Sequence, residues 1–249
     1  MRRLEFASTE TSAQTENCAV SSSSLPFTLV HKQRLLIATF GAPQKMLSWS
    51  LTKPGIQHAR QVAWIEIRDA DLPAGADAEQ VIAGRIAKAN LDDAVTLITS
   101  RDVGRHHVAD VAVEDAIATC VSTVGLSNGE RVGERFARPR AGLGTINTMV
   151  HASLPLSDAA MIEAITIVAE ARTTAILDSG VRRSGVAITG TGTDCIVVAA
   201  PPGDTVRFAG LHTAIGEAIG AAVYRSMRDG IATWLQDTQD MRLAVGVES

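Results

Sequence analysis

A chain of 249 residues lies within the range that one α/β domain reaches with a single hydrophobic core. Hydrophobic residues make up 46% and charged residues 20%, which excludes intrinsic disorder for most of the chain. A net charge of -4 and an aromatic content of 4% provide neither the basic surface nor the exposed rings that nucleic-acid binding needs. No apolar segment reaches the ~18 residues of a membrane-spanning helix, so neither nucleic acid nor a membrane is expected as a partner.

The three cysteines, Cys18, Cys120 and Cys195, lie far apart and form no C-x-x-C pair, so they predict reduced thiols in a cytoplasmic protein and no metal site. Residues 1–25 are rich in Ser, Thr and Glu and predict a disordered N-terminal tail. Glutamates interrupt any signal-peptide core within this tail. Residues 26–249 are expected to form a single domain.

The first half of the chain predicts mainly strands. Residues 27–31 and 34–40 have the pattern of a hairpin, and residues 61–68 alternate like a further strand after a turn at Lys53-Pro54-Gly55. Residues 77–89 have helical spacing and end at Asn90, which tolerates a left-handed cap. Three further strands are predicted at 94–99, 108–113 and 117–124.

The second half predicts two long helices between strands. A strand at 143–154 precedes Ser157, a helix N-cap, and the following helix is expected to bury one stripe, formed by Ile162, Ile165, Ala169 and Ile176. Strands at 186–189 and 195–200 flank a tight Gly-Thr-Gly-Thr turn. A last helix at 213–235 turns its apolar side chains inward, namely Ile215, Ile219, Ala222 and Val223. Gly216 and Gly220, four residues apart, permit close approach of a neighbouring element.

Together these elements predict an α/β (α+β) fold in which a mixed β-sheet is layered with about three main helices. Polar clusters stand at the ends of the strands and at helix starts, where functional sites usually form on a rigid scaffold. The clusters are Thr99-Ser-Arg-Asp102, Gly125-Leu-Ser-Asn128, Gly144-Thr-Ile-Asn147, Ala169-Glu-Ala-Arg172, Gly190-Thr-Gly-Thr-Asp194 and Gly210-Leu-His-Thr213.

In this order, the clusters resemble the motifs of the adenosylcobinamide amidohydrolase family. The resemblance extends from about Thr99 to Ile231, more than half of the chain. It implies hydrolysis of the amide that joins a corrin propionate side chain to aminopropanol, giving adenosylcobyric acid for cobalamin salvage. The implied partner is therefore a small-molecule corrinoid substrate, with no metal or other cofactor indicated. The sequence leaves open whether the chain forms a homo-oligomer.

Amide hydrolysis needs an acid/base group and hydrogen-bond donors directed at the developing oxyanion. With the resemblance, Glu170, Asp194 and His212 are the candidate catalytic residues. Each also has a structural interpretation: Glu170 as a surface carboxylate, Asp194 as a turn-closing cap and His212 as a capping residue before a helix. Glu217 lies about 140° round the helix from His212 and is a candidate supporting residue.

Candidate substrate-binding residues are polar side chains of the same clusters. Asn147 is the most informative because it interrupts an apolar strand, where its amide must be satisfied. It and Asn128 suit oxyanion stabilisation or binding of substrate carboxamides, although either residue type also forms turns. The full set is Asp102, Ser127, Asn128, Thr145, Asn147, Thr189, Thr191, Thr193 and Glu217.

Two alternatives remain open. A non-catalytic corrinoid-binding protein would use the same Gly, Thr and Asn turns. A serine hydrolase is suggested by the G-x-S-x-G pattern at Ser127 and by the chain order of Ser127, Asp194 and His212. Such a nucleophile elbow should open directly into a helix, and the Gly- and Pro-containing segment after Ser127 is poorly suited to one.

Overall fold

A computed structural model describes residues 25–72, 75, 77–134 and 144–245. Apart from Leu25, the predicted N-terminal tail lies outside the described residues, as does Cys18. The main strands are β1 Phe27–Lys32, β2 Leu35–Ser48, β3 Gly55–Glu66, β4 Val95–Thr99, β5 His106–Val113, β6 Ala116–Val124, β8 Ile146–Ala152 and β12 Cys195–Ala200. The helices are α1 Ala78–Lys88, α2 Asp158–Asp178 and α3 Ala214–Val245. Four two-residue strands complete the set: β7 Gly129–Glu130, β9 Arg182–Arg183, β10 Val186–Ala187 and β11 Gly190–Thr191.

The eight main strands form one mixed sheet in the order β4-β3-β2-β12-β8-β6-β5, with β1 paired to the first half of β2. The β3–β4 and β12–β8 pairs are parallel and the other pairs are antiparallel. A register shift between Thr39 and Gln44 bends β2, so its second half pairs with β12. The predicted mixed sheet with three main helices is confirmed.

The sheet curls strongly, which the strand pattern alone did not indicate. Asn147 of β8 donates through Nδ2 to the Ile98 main-chain oxygen of β4, 2.8 Å away, although three strands separate β4 from β8 in the sheet order. One cluster of buried side chains from β2, β3, β4, β6, β8 and β12 fills the concave face. All three helices lie on the opposite face, α1 against β2 and β3, and α2 with α3 against β5, β6, β8 and β12.

The predicted caps of α1 and α2 are present. Asp77 caps α1 by accepting the N–H groups of Glu79 and Gln80, and Asn90 takes a left-handed φ of 54° just beyond it. The Ser157 hydroxyl caps α2 by accepting the N–H of Ala160 at 3.2 Å. No helix in the described part of the chain has the length and apolar content needed to cross a membrane.

The predicted apolar stripe of α2 was wrong in detail. Ile162 is 59% exposed, and Ile165 and Ala169 are only partly buried. The helix lies against both β12 and α3, so two directions are covered and the buried set rotates away from Ile162. The buried side chains are Ala160, Met161, Ala164, Ile167, Val168, Ala175 and Ile176.

The inward face of α3 is confirmed, since Ile215, Ile219, Ala222 and Val223 are buried. The helix extends ten residues past the predicted end at position 235, to Val245. The two glycines permit different contacts. A side chain at Gly216 would collide with the main-chain oxygens of Ala209 and Gly210, whereas one at Gly220 would lie 3.4 Å from Ile167 Cγ2 in α2.

His151 is the buried titratable side chain of β8. Its ring lies 5.2 Å from that of Phe40, and Nε2 lies 3.3 Å from Gln44 Oε1. Burial lowers the pKa of His151 from 6.5 to about 4. The folded state therefore keeps a neutral imidazole at pH values where the unfolded chain binds a proton.

The unfolding free energy should consequently fall as the pH is lowered from about 6.5 to about 4, by up to about 3 kcal/mol from His151 alone. In a His151→Gln variant, the unfolding free energy measured with urea should fall less across this pH range than in the parent protein. His58 is exposed on β3, so a His58→Gln variant serves as the control and should keep the parent's pH dependence. Equal pH dependence in the His151 variant and the parent would contradict the assignment.

A Gly216→Ala substitution should destabilise the protein by about 3 kcal/mol, because the added methyl group meets immobile main-chain oxygens. Gly220→Ala is the matched control in the same helix. Its methyl group has room, and alanine favours helix by about 1 kcal/mol, so the unfolding free energy should change by less than about 1 kcal/mol. An equal loss of unfolding free energy in the two variants, measured with urea, would show that the close contact of Gly216 with the 209–210 segment does not restrict this position to glycine.

Candidate functional site

A cleft of about 470 Å³ opens at one end of the curled sheet. The segments that follow β2 and β4 form part of its wall, and the starts of β8 and β12 form another part. Its polar lining includes five of the predicted site residues: Asn128, Thr145, Asn147, Thr193 and Asp194. The structure thus brings residues of three separate sequence clusters together at one cleft.

Two of the motifs are in direct contact because Gly144 has no side chain. A Cβ atom at Gly144 would lie 2.8 Å from the Ser127 nitrogen and 2.9 Å from both Asn128 Oδ1 and the Gly125 oxygen. Gly125 N–H donates to the Thr145 oxygen at 3.0 Å, joining the same two segments. The glycine is thus needed for the turn after β6 to approach the start of β8.

The turn before β12 is closed by the carboxylate of Asp194, whose side chain is 7% exposed. Oδ2 accepts the Thr191 N–H at 2.8 Å, Oδ1 accepts the Ile146 N–H at 3.1 Å, and the Thr191 hydroxyl donates to Oδ1. Gly190 makes room for this arrangement, since its Cβ would lie 2.8 Å from Oδ2. The predicted turn-closing role of Asp194 is present, and the bond to Ile146 extends it to another strand.

Arg172 of α2 provides the only described cation next to this carboxylate, with Nη1 3.2 Å from Asp194 Oδ2. Burial raises the pKa of the Asp194 carboxyl, and the opposing effects of Arg172 and of the N–H donors do not cancel it. The group is consequently closer to proton exchange near neutral pH than an exposed aspartate would be. It is the acid/base candidate that lies in the cleft.

The two asparagines are buried, Asn128 to 3% exposed and Asn147 to 0%. Asn147 fulfils the expectation that an amide inside an apolar strand needs a partner, because its Nδ2 donates to Ile98. The Oδ1 atoms of both residues have no hydrogen-bond partner among the described residues. Two acceptor atoms are therefore available to a ligand.

Threonines of the clusters divide between the cleft and the turns behind it. The hydroxyls of Thr145 and Thr193 lie 2.8 Å apart at the cleft wall. Thr191 is used by Asp194, and Thr189 accepts the Val132 N–H at 2.8 Å outside the cleft lining. Thr189 thus joins two loops rather than lining the cleft.

Two of the three predicted acid/base residues lie elsewhere. Glu170 is exposed and lines a separate groove between α2 and α3. His212 is exposed just before α3, close to Ala209, which donates to Glu163 of α2 at 2.7 Å. The segment before His212 thus lies beside Glu163, whereas Asp194 lies beside Arg172. Nine residues of α2 separate Glu163 from Arg172, and at about 1.5 Å per residue this is roughly 13 Å along the helix. The structure does not bring the three together.

Three other predicted residues are also outside the cleft lining. Asp102 caps a short 3-10 helix by accepting the Gly104 N–H at 2.8 Å. Glu217 is exposed in the first turn of α3. Ser127 is exposed and is followed by the strand β7, so the helix that a nucleophile elbow requires does not follow it.

The cleft also contains residues that the sequence did not single out. Trp49, Ser50 and Leu51 follow β2, and the Trp49 indole donates to the Asp194 main-chain oxygen at 2.9 Å while its ring remains 48% exposed. Apolar side chains complete the wall: Ile67, Leu72, Ile82, Leu97 and Ile98. A lone tryptophan beyond the end of an apolar strand was the available signal for this segment.

Cys195 also lines the cleft, and its thiol lies 3.6 Å from Ser48 Oγ. Burial raises the pKa of Cys195, so the thiolate needed for nucleophilic attack is disfavoured. Cys120 is buried under α3 and its pKa is raised to about 12. Neither cysteine is suited to act as a nucleophile, and both are free thiols.

Replacing Arg172 by methionine should leave the Asp194 charge buried without its counter-ion and lower the unfolding free energy by about 3 kcal/mol at pH 7. The loss should diminish as the pH is lowered, because protonation of Asp194 removes the unpaired charge, and urea unfolding at pH 7 and pH 5 tests this. Arg228→Met is the control, since Arg228 pairs with Asp229 on the exposed surface and its loss should cost less than about 1 kcal/mol. A pH-independent loss in Arg172→Met would show that charge compensation is not its role.

Solved structures with a related shape have little sequence in common with this chain. A β-aminopeptidase of Burkholderia sp. is 11% identical with a TM-score of 0.44, covering 82% of this chain and 79% of that one. A protein of Pyrococcus horikoshii OT3 is 9% identical with a TM-score of 0.41, covering 86% of this chain and 80% of that one.

Sequence relatives are more informative. An uncharacterised protein of Methanocaldococcus jannaschii is 30% identical over 151 residues, which are 59% of this chain and 57% of that protein. A Halobacterium salinarum protein named adenosylcobinamide amidohydrolase is 29% identical over 180 residues, 68% of this chain and 71% of that protein. The sequence profile of the adenosylcobinamide amidohydrolase family matches residues 20–239, well beyond the stretch in which the motifs were apparent. The chain belongs to the adenosylcobinamide amidohydrolase family.

Proposed function

We propose that the protein hydrolyses the amide between aminopropanol and a propionate side chain of the corrin ring in adenosylcobinamide, releasing adenosylcobyric acid. Membership of the family supports this reaction. The observation that carries the proposal is a single cleft that combines a carboxyl group of raised pKa, Asp194, with buried amide and hydroxyl groups. The product would be available for reassembly of the coenzyme in the cytoplasm.

The lining of the cleft suits a large ring with amide substituents. Trp49 and Leu51 present exposed apolar surface at the cleft, where a flat ring system can lie against them. Asn128 and Asn147 lie on the same cleft and can bind the carboxamide groups that a corrin ring displays at its rim. One part of the cleft therefore binds the ring and another its polar side chains.

In the hydrolysis, water adds to the amide carbon, the carbon–nitrogen bond breaks, and the departing amine gains a proton. Asp194 is the proposed group that takes a proton from the water and returns one to the amine. Its pKa, which burial raises, suits both steps better than that of an exposed aspartate, because the carboxyl group binds a proton more readily. The assignment of Glu170 and His212 as catalytic residues stays a prediction, and their positions outside the cleft favour Asp194 as the first residue to test.

Purified protein incubated with adenosylcobinamide should release aminopropanol and adenosylcobyric acid, which mass spectrometry separates from the substrate. An Asp194→Asn variant should lower kcat by at least about 100-fold, the usual effect of losing an acid/base group. His212→Asn and Glu170→Gln are matched controls, because both side chains are exposed and outside the cleft lining. The unfolding temperature of each variant separates lost chemistry from lost structure.

Several outcomes would change the proposal. Tight corrinoid binding without product release would indicate a non-catalytic corrinoid-binding protein. Loss of turnover in Ser127→Ala, with labelling of the parent protein by a serine-directed inhibitor, would establish the serine hydrolase instead. A His212→Asn or Glu170→Gln variant as inactive as Asp194→Asn, with an unchanged unfolding temperature, would move the acid/base role to that residue.

A further inference from the structure

Three residues that line the cleft each have a buried side-chain polar atom with no hydrogen-bond partner among the described residues: Ser50 Oγ, Asn128 Oδ1 and Asn147 Oδ1. Ser50 is 4% exposed, Asn128 3% and Asn147 0%. Buried polar groups in folded proteins are normally paired, so each unpaired atom requires a reason. Because these three residues line the same cleft, a ligand bound there is one source of the missing partners.

The orientation of the Asn147 amide is fixed by its surroundings. Its Nδ2 lies 2.8 Å from the Ile98 main-chain oxygen, which can only accept a hydrogen bond. The nitrogen must therefore face Ile98, and the other atom of the amide is the oxygen. That oxygen is an acceptor that requires an N–H or O–H donor from a ligand.

The segment that contains Ser50 is held in place by hydrogen bonds. The Ser50 main-chain N–H donates to the Ser48 hydroxyl at 3.1 Å, and the indole of the preceding Trp49 donates to the Asp194 oxygen at 2.9 Å. The Ser50 hydroxyl itself is unpaired and can donate to a carbonyl oxygen. Because its neighbours hold the segment, little order has to be gained when a ligand binds.

We propose that Ser50, Asn128 and Asn147 form an amide-recognition pocket. The two asparagine oxygens accept the N–H groups of a ligand carboxamide, and the Ser50 hydroxyl donates to its carbonyl oxygen. This differs from the expectation that Asn128 and Asn147 donate to an oxyanion, because the atoms left unpaired are acceptors. The identity of the ligand as a corrinoid rests on the proposed function, whereas the preference for an amide over an ester does not.

The test compares ligands of similar shape with and without N–H groups. Adenosylcobyric acid, which has rim amides but lacks the amide that the proposed reaction cleaves, is compared with heptamethyl cobyrinate, a corrinoid whose rim groups are esters, by isothermal titration calorimetry. Propionamide and methyl propionate form the smaller pair, followed through the side-chain amide resonances of Asn128 and Asn147. The parent protein should prefer the amide in both pairs.

Asn128→Ala should reduce amide binding about tenfold and leave ester binding unchanged, because it removes one hydrogen bond to an N–H group that the ester lacks. Ser50→Ala should weaken amide and ester binding alike by about tenfold, because both ligands have the carbonyl oxygen to which the hydroxyl donates. The unfolding temperature of Ser50→Ala should not fall, because the hydroxyl has no partner in the protein. Thr148→Val is the matched control. Its hydroxyl is equally buried and unpaired, it neighbours Asn147 in β8, and it does not line the cleft.

The outcomes separate this inference from the proposed function. If adenosylcobyric acid binds and the preference for amides is the same in every variant, the amide-recognition pocket is refuted and the proposed function survives. If no corrinoid binds but propionamide shifts the asparagine resonances and Ser50→Ala abolishes the shift, the pocket stands and the proposed function fails. If neither amide binds to the parent protein, both are overturned.

Discussion

The buried carboxylate of Asp194 joins separate segments of the chain. Its oxygens accept the main-chain N–H of Ile146 at the start of β8 and that of Thr191 in β11, and Arg172 of α2 lies 3.2 Å away. Its main-chain oxygen accepts the Trp49 indole N–H. Since β12 starts directly after Asp194 and pairs in parallel with β8, these contacts set the sheet, the helix layer and the cleft relative to one another.

A carboxylate is an unfavourable group with which to join buried segments, because removing it from water raises its pKa and disfavours its charge. The surrounding N–H groups and Arg172 offset only part of this effect. Structure alone therefore gives little reason for a charge at this position. The carboxylate nevertheless holds together the segments around the cleft, because its two oxygens accept hydrogen bonds from Ile146 and Thr191.

The sequence predicted those features that depend on neighbours along the chain. The caps at Asp77, Asn90 and Ser157 and the starts of most main strands needed only local signals, whereas β3 starts at Gly55, six residues before its predicted start. The predicted buried face of α2 was wrong at Ile162 because the buried face depends on which elements cover the helix. The curl of the sheet, which places Asn147 next to Ile98, likewise depends on strands that are far apart along the chain. Neither relation leaves a periodic pattern in the sequence.

The residues of the site also fall into those that the sequence could identify and those that it could not. Asn147 could be identified from the sequence because an amide inside an apolar strand is unusual wherever the strand lies. Ser50 could not, since a serine after a strand is ordinary until the sheet curls and buries it without a partner. His212 and Asp194 were grouped by the family resemblance, which carries no information on the distance between them in the folded chain. The reaction class can therefore come from sequence resemblance, whereas the polarity of each contact requires knowledge of which atoms the fold has buried and left unpaired.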